Sequence, residues 1–353
     1  MSRGRGRSCW ALLGGALALV LAAGAGGETR DDTAWLQAKL DAGGTVELPK
    51  LPDGQCYATR GLWVSHDDTV IESNGGCIVS LGPGEVRLTS ADGDPIAADA
   101  VFYINRSTPL QPAPDFVTIR GLTIEVPAAT RTYGIAVLGH DVLIQNVTVT
   151  GAPVDDLYIG DRANGDGYAS RVTVDGCRLE NGGRNVVSAV AFLDLTIRNS
   201  VLARASNGYA RAPGEAANPS AGLDIEPNTR GNLVLGLNLV GNVISDNAGP
   251  GILFELASRT GRPFYADRLT VARNKILRNG RGGIVFVGGQ ANGGGRASVR
   301  GNTISGNGGA AIVGQNMGLA VDVRGNDLSG NGGGAYANVR LALPRPGLSG
   351  SAG

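Results

Sequence analysis

Four times in its last third the chain writes Asn-x-[Ile/Leu]-x-x-Asn: Asn242 to Asn247, Asn274 to Asn279, Asn302 to Asn307 and Asn326 to Asn331. The first Asn returns after 32, 28 and 24 residues. A period of 20–50 residues belongs to folds that stack one supersecondary unit on the next. The intervening segments identify the unit. Val117-Thr118-Ile119-Arg120, Val142-Leu143-Ile144-Gln145, Val172-Thr173-Val174-Asp175 and Leu195-Thr196-Ile197-Arg198 alternate as short strands, and Leu269, Ala297 and Val321 open three more. The inward residues of one such coil cannot be buried alone. Stacking at the ~4.8 Å strand spacing pairs each backbone with the coils above and below. Asn suits the corners, because it tolerates a left-handed backbone and its amide can bond its counterpart in the next coil. The repeat lacks the Leu-x-x-Leu-x-Leu frame of a leucine-rich solenoid, and its periods are too short for propeller blades.

Composition fits an all-β solenoid. Gly supplies 57 of 353 residues, about twice the usual share of roughly 7%. Lys plus Arg equals Asp plus Glu at 31 each, so no basic field exists to hold nucleic acid by its phosphates. Mean hydropathy near zero and many Val, Ile and Leu argue against disorder. A repeat fold grows by adding units, so the length does not demand two domains. Residues 1–25 read as a signal peptide: Arg3, Arg5 and Arg7 precede the apolar run 10–23, and Ala23-Gly24-Ala25 offers small residues for cleavage. The expected organisation is a β-helix domain over 26–342 and a flexible tail over 343–353. The protein is expected to be secreted or periplasmic, with no stable membrane span after signal cleavage. Cys56 and Cys77 stand 21 residues apart, close to one coil, and either bond to each other or remain buried thiols.

One convincing helix is present, over Asp31 to Asp41, with Asp32 or Thr33 as its cap, Trp35, Leu36 and Leu40 on one face and Gly43-Gly44 at its end. It is placed to cover the open end of the core. This opening, continued through Thr45-Val46-Glu47-Leu48-Pro49, together with the Asn-Gly coils, resembles the right-handed parallel β-helix proteins of the pectate-lyase-like superfamily. The resemblance covers most of the mature chain and implies extracellular glycan processing, in a family of hydrolases, lyases and epimerases. Its activity motifs do not transfer. Asp155-Asp156 is present, but the Gly-His-Gly and Arg-Ile-Lys of polygalacturonase-like hydrolases are missing, and the only histidines are His66 and His140. Asp224-Ile225-Glu226-Pro227 only faintly matches the Asp-Pro-His-Glu strand of mannuronan epimerases and lacks the His.

The richest stretch is Gly222-Leu223-Asp224-Ile225-Glu226. Alternation places Leu223 and Ile225 inward and both carboxylates outward. Aligned with similar segments, it gives inward columns Leu157, Val186, Leu223, Ile252, Ile284 and Ile159, Ser188, Ile225, Phe254, Phe286. Glu226 and Glu255 then share an outward column on adjacent coils, close enough to separate an acid from a base or nucleophile, as glycoside cleavage requires. Asp224, Glu226 and Glu255 are the expected catalytic residues. An acidic face without a role is the alternative. Asp156, Tyr158 and Asp161, two coils earlier, are expected to bind substrate, Tyr158 by stacking on a sugar ring. Arg184 and Asn185, between the two acidic groups, are expected to hold a hydroxyl or uronate carboxylate. Enlarged loops at 205–220 and after Glu255, with Arg259, Arg262 and Tyr265, flank the acids.

No cofactor is expected. Residues 161–167, with Asp161, Asn164 and Asp166, leave room for a calcium ion bound through oxygens, though a plain polar turn is the simpler reading, and no metal-ligand set is assigned. The expected function is a carbohydrate-active enzyme on a polysaccharide partner, a glycoside hydrolase first. A uronan lyase or epimerase, and a non-catalytic glycan-binding surface protein, are the alternatives. Oligomeric state is left open.

Overall fold

The computed structural model describes residues 30–89, 93–127, 130, 132–160, 168–206, 208, 219–228, 232–256, 266–288, 295–315 and 319–339. The expected signal peptide and tail, Asp161 with the turn 161–167, and Arg259, Arg262 and Tyr265 lie outside them. Among the described residues no helix is long and apolar enough to cross a membrane.

Among the described residues three parallel sheets, of ten, nine and ten strands, run along the coil stack. Each coil but the last contributes one strand to each sheet in turn, so every strand pairs with strands one coil away. The first sheet starts at Thr45–Glu47, the second at Tyr57–Thr59 and the third at Leu62–Val64. The first sheet gathers the alternating strands read from the sequence, including Leu143–Gln145, Phe192–Arg198 and Ala320–Arg324. It also includes Val234–Val240, which the sequence reading passed over. An antiparallel pair, Val86–Thr89 with Pro95–Ala97, stands apart. It covers a small apolar cluster on the outer face of the third sheet that holds Trp63, Leu88, Tyr103 and Tyr158.

The core is a set of columns. Ile159, Ala189, Ile225, Phe254 and Phe286 stack in register. The rings of Phe254 and Phe286 lie nearly parallel, 4.6 Å apart. Both expected columns are corrected here, each at one position. In the coil at Asn185–Ala189, Val187 and Ala189 continue the inward columns, and Ser188 faces out beside Tyr158 and Asp224. Val186 is also buried, because it sits at the bend into the strand. An alignment read one residue early exchanges the two faces of a strand.

The Asn repeat forms two continuous ladders. Along Asn242, Asn274, Asn302 and Asn326 each of the first three donates Nδ2 to the Oδ1 of the next, at 3.0, 3.0 and 2.8 Å. Asn247, Asn279, Asn307 and Asn331 do the same at 2.8, 2.9 and 2.8 Å. Each Nδ2 also reaches a backbone carbonyl of the preceding coil, as Asn274 does to Leu239 O at 2.9 Å. Buried corners are thereby satisfied with no water.

The helix spans Thr33–Asp41 and buries Leu36, Gln37 and Leu40 over the first coil. Its cap differs from expectation. Neither Asp32 nor Thr33 caps it with a side chain. Asp31 Oδ1 accepts from the Thr33 N–H at 3.0 Å, while the Asp32 carboxylate accepts from the Ala58 N–H and so ties the helix to the second sheet. Trp35 lies outside the core and stacks on Tyr57. Cys56 and Cys77 form a disulfide between neighbouring coils.

Candidate active site

The outer face of the third sheet changes character along its length. Its central outward column runs Tyr158, Ser188, Asp224, Leu253, Val285, Val313. Aromatic packing at one end gives way to a polar network and then to an aliphatic floor.

The polar network is built across three coils. Arg184 grips Asp155 with its guanidinium fork, Nε donating to Oδ1 at 3.0 Å and Nη2 to Oδ2. The same Asp155 Oδ1 accepts the Asn185 backbone N–H at 3.0 Å, and Arg184 Nη2 reaches Ser188 Oγ at 3.3 Å. The Ala221 N–H donates to Asn185 Oδ1 at 2.9 Å, which fixes the orientation of that amide. Its Nδ2 therefore faces Ser188 Oγ at 3.1 Å and Asp224 Oδ2 at 3.0 Å.

Asp224 is fully buried, contrary to the exposed position expected of an outward strand residue, and its Oδ1 has no hydrogen-bond partner. Burial drives its carboxyl well above the usual carboxylate range; Glu226 adds to this, Arg184 opposes it, and Glu255 and Asp155 add further. The neutral form is thereby favoured. Asn185 Nδ2 needs an acceptor at Oδ2, so in that form the proton belongs on Oδ1. Glu226 and Glu255 are half-buried. The strand pairing ends at Ile225 opposite Phe254, with Glu226 and Glu255 the next residues of the two chains, and both bear on the Asp224 carboxyl. The three acids are brought together as the sequence reading expected.

The expected substrate-binding residues are placed differently. Asp156 is fully buried; its Oδ1 accepts from the Ala152 N–H at 3.2 Å and its Oδ2 has no partner. Burial raises its carboxyl well above the ordinary range, partly offset by Ala152 and reinforced by Asp155 and Glu180. It belongs to the corner between the second and third sheets. Tyr158 shares Asp224's column but is only 7% exposed and packs edge-on against Tyr133. It is a wall of the network rather than an open platform. Arg184 is committed to Asp155, and Asn185 to Asp224. Asp155 and Ser188 complete the network; the first was noted in the sequence without a role, and the second was hidden by the misread face of its strand. Among the described residues no group of three or more His, Cys, Asp or Glu could hold a metal ion.

Beyond Asp224 the same face opens into a groove of about 360 Å³, lined by Leu253, Val285, Val287 and Val313 with Glu255, Arg281 and Gln315 at its polar edge.

Residues 99–339 match the family described as "Right handed beta helix region". The chain belongs to the right-handed β-helix family. No curated protein matches the chain by sequence. Among solved β-helix structures it is similar to the tailspike protein gp49 of Acinetobacter baumannii bacteriophage Fri1, a capsular polysaccharide depolymerase, at 16% identity over 90% of this chain and 61% of that one, TM-score 0.49. A tailspike mutant of E. coli bacteriophage HK620, in complex with a hexasaccharide, matches at 16% identity over 84% of this chain and 52% of that one, TM-score 0.55. The Streptococcus pneumoniae surface protein and adhesin PfbA matches at 13% identity over 89% of this chain and 97% of that one, TM-score 0.50. The chain therefore spans about three-fifths and half of the two tailspikes. At these identities the likeness is one of β-helix fold.

Proposed function

We propose that this β-helix protein is an exported enzyme that cleaves a polysaccharide as a glycoside hydrolase. The observation that carries the reading is a buried Asp224 with an unpartnered oxygen, its carboxyl pushed above the ordinary range by burial, set beside two half-buried carboxylates. A carboxyl kept neutral by its surroundings next to acids in a wetter setting is the division of labour that glycoside hydrolysis uses. Asp224 is covered in this structure, so on this reading the bound glycan must displace that cover before Oδ1 gives its proton to the leaving glycosidic oxygen as the C–O bond breaks. Glu226 or Glu255 takes a proton from the attacking water, whose hydroxyl ends on the anomeric carbon. Residues two apart on one strand lie ~6.6 Å apart along it, and diagonal partners on adjacent strands about 7–8 Å apart. These backbone spacings suit the inverting route, whose carboxyls stand roughly 6.5–9.5 Å apart to leave room for that water, so inversion is expected if Asp224 is one of the working pair; Glu226 with Glu255 would suit retention. That a tailspike of this fold carries a hexasaccharide supports the glycan reading. Arg184 is already paired with Asp155, which leaves less support for a lyase or epimerase holding a uronate there.

The test is a screen of the purified protein against polysaccharides with mass-spectrometric product analysis, repeated with Asp224→Asn. Hydrolytic products from the parent and their loss in the variant are expected. Unsaturated products absorbing in the ultraviolet would move the assignment to a lyase, and binding with no turnover to a glycan-binding protein.

A further inference from the structure

The groove beside Glu255 has an unusual lining for a sugar site. Its floor is aliphatic: Leu253, Val285 and Val313 continue the Asp224 column, and Val287 continues that of Glu255. Among the described residues no aromatic side chain lines it, so none of them offers the flat face of a pyranose a ring to stack on. Pro219, Pro250 and Gly282 form one wall, and a Cβ added at Gly282 would meet the Val285 and Val313 methyls at 2.9 and 3.0 Å. The glycine keeps that space open. The rim carries one acceptor, Glu255, and two exposed donors, Arg281 and Gln315, none with a side-chain hydrogen bond among the described residues. At about 360 Å³ the groove is at the small end of ligand sites, which run roughly 300–1,000 Å³.

We infer that this groove is a subsite for an N-acetylated hexosamine, whose acetamido methyl rests on Leu253, Val285 and Val313 while its N–H and C=O meet Glu255 and the Arg281 and Gln315 side chains. A small apolar floor with an acceptor and donors at one edge complements an acetamido group on both its apolar and its polar sides. A 6-deoxy sugar offers a methyl but no amide, and leaves those rim groups without a partner. A bare hydroxyl fails on the floor. The inference deepens the glycoside hydrolase reading, since Glu255 belongs to both the groove and the acid cluster, but the test below reads binding alone.

Saturation-transfer NMR on the full chain, with the methyl glycosides of N-acetylglucosamine, N-acetylgalactosamine, glucose, galactose, fucose and rhamnose, decides it. At least one acetamido sugar should bind, with its strongest enhancement at the acetamido methyl and about a tenfold preference over the matching hydroxyl sugar, the size expected for one small group in an apolar pocket. Val285→Thr and Val313→Thr keep shape and β propensity and should each weaken that signal several-fold. Equal or stronger enhancement of fucose or rhamnose, no binding by either acetamido sugar, or enhancement that the Thr variants leave unchanged overturns the inference. Turnover that survives Asp224→Asn sinks the catalytic reading and leaves this result standing; the reverse also holds.

Discussion

Asn185 Nδ2 lies 3.0 Å from Asp224 Oδ2, one coil away, and the Ala221 N–H holds the other end of the same amide. That contact sets which oxygen of the acid carries the proton. Asn185→Ala would strand the Ala221 N–H and Asp224 Oδ2 in a buried setting, costing about 1–3 kcal/mol for each group left bare. A lower unfolding midpoint together with reduced turnover is expected. A variant that melts and turns over like the parent contradicts the orientation given to Asp224.

Asp224→Asn keeps the shape and neutrality of the protonated acid while removing its proton. Turnover should fall by about 10²–10⁴-fold, the usual worth of a general acid. Chirality of the product anomer, followed by NMR early in the reaction of the parent, is expected to show inversion; retention would point to Glu226 and Glu255 as the working pair.

The two buried acids give a signed pH dependence. Asp156 and Asp224 titrate above the ordinary carboxylate value in the folded chain, so the native state holds protons that the unfolded state releases from about pH 3.9 upward. Their contribution to stability is full below that pH and is lost as pH rises towards the folded values. Asp31, Asp141, Asp175, Asp246 and Asp327 are held low and act in the opposite sense, losing their contribution as pH falls below the unfolded value. Melts of the Asp156→Asn, Asp224→Asn double variant between pH 4 and 8 should decline less with rising pH than those of the parent. An unchanged slope would show that neither acid is buried as described.

Glu226 and Glu255 are half-buried, and both act on the Asp224 carboxyl. Replacing either with Gln should leave the unfolding midpoint within about 0.5 kcal/mol of the parent, the usual range for sites outside the core. The variant of the true base should lose most activity. If both variants turn over normally, the water-activating role lies elsewhere.

Asn274 makes four bonds: its Oδ1 accepts from the Asn242 N–H and Nδ2, and its Nδ2 donates to Leu239 O and Asn302 Oδ1. Asn274→Ala leaves several buried groups unpaired, at about 1–3 kcal/mol each, and chemical denaturation should show a large loss. Asn331→Ala, at the half-buried end of its ladder, should cost less.

The repeat, the three-stranded coil and the inward placing of Leu223, Ile225, Phe254 and Phe286 were legible because strand alternation and the Asn spacing survive in one dimension. So was the clustering of Asp224, Glu226 and Glu255. The burial of Asp224 was not, since alternation tells which face a residue takes and not what covers that face. Ser188 was misassigned because the strand Asn185–Ala189 begins at a bend, where Val186 and Val187 are both buried and the alternation breaks. Arg184 and Asn185 were recognised as belonging near the acids, yet their partners, Asp155 and Asp224, lie 29 and 39 residues away and only coil stacking brings them into reach.

The Asn ladders carry a last consequence. They hold one coil to the next by the same bonds whether the intervening chain is 32, 28 or 24 residues long. Register is thus uncoupled from coil length. A lineage can lengthen or shorten the chain between one Asn corner and the next and still keep the bonds that hold the coils in register.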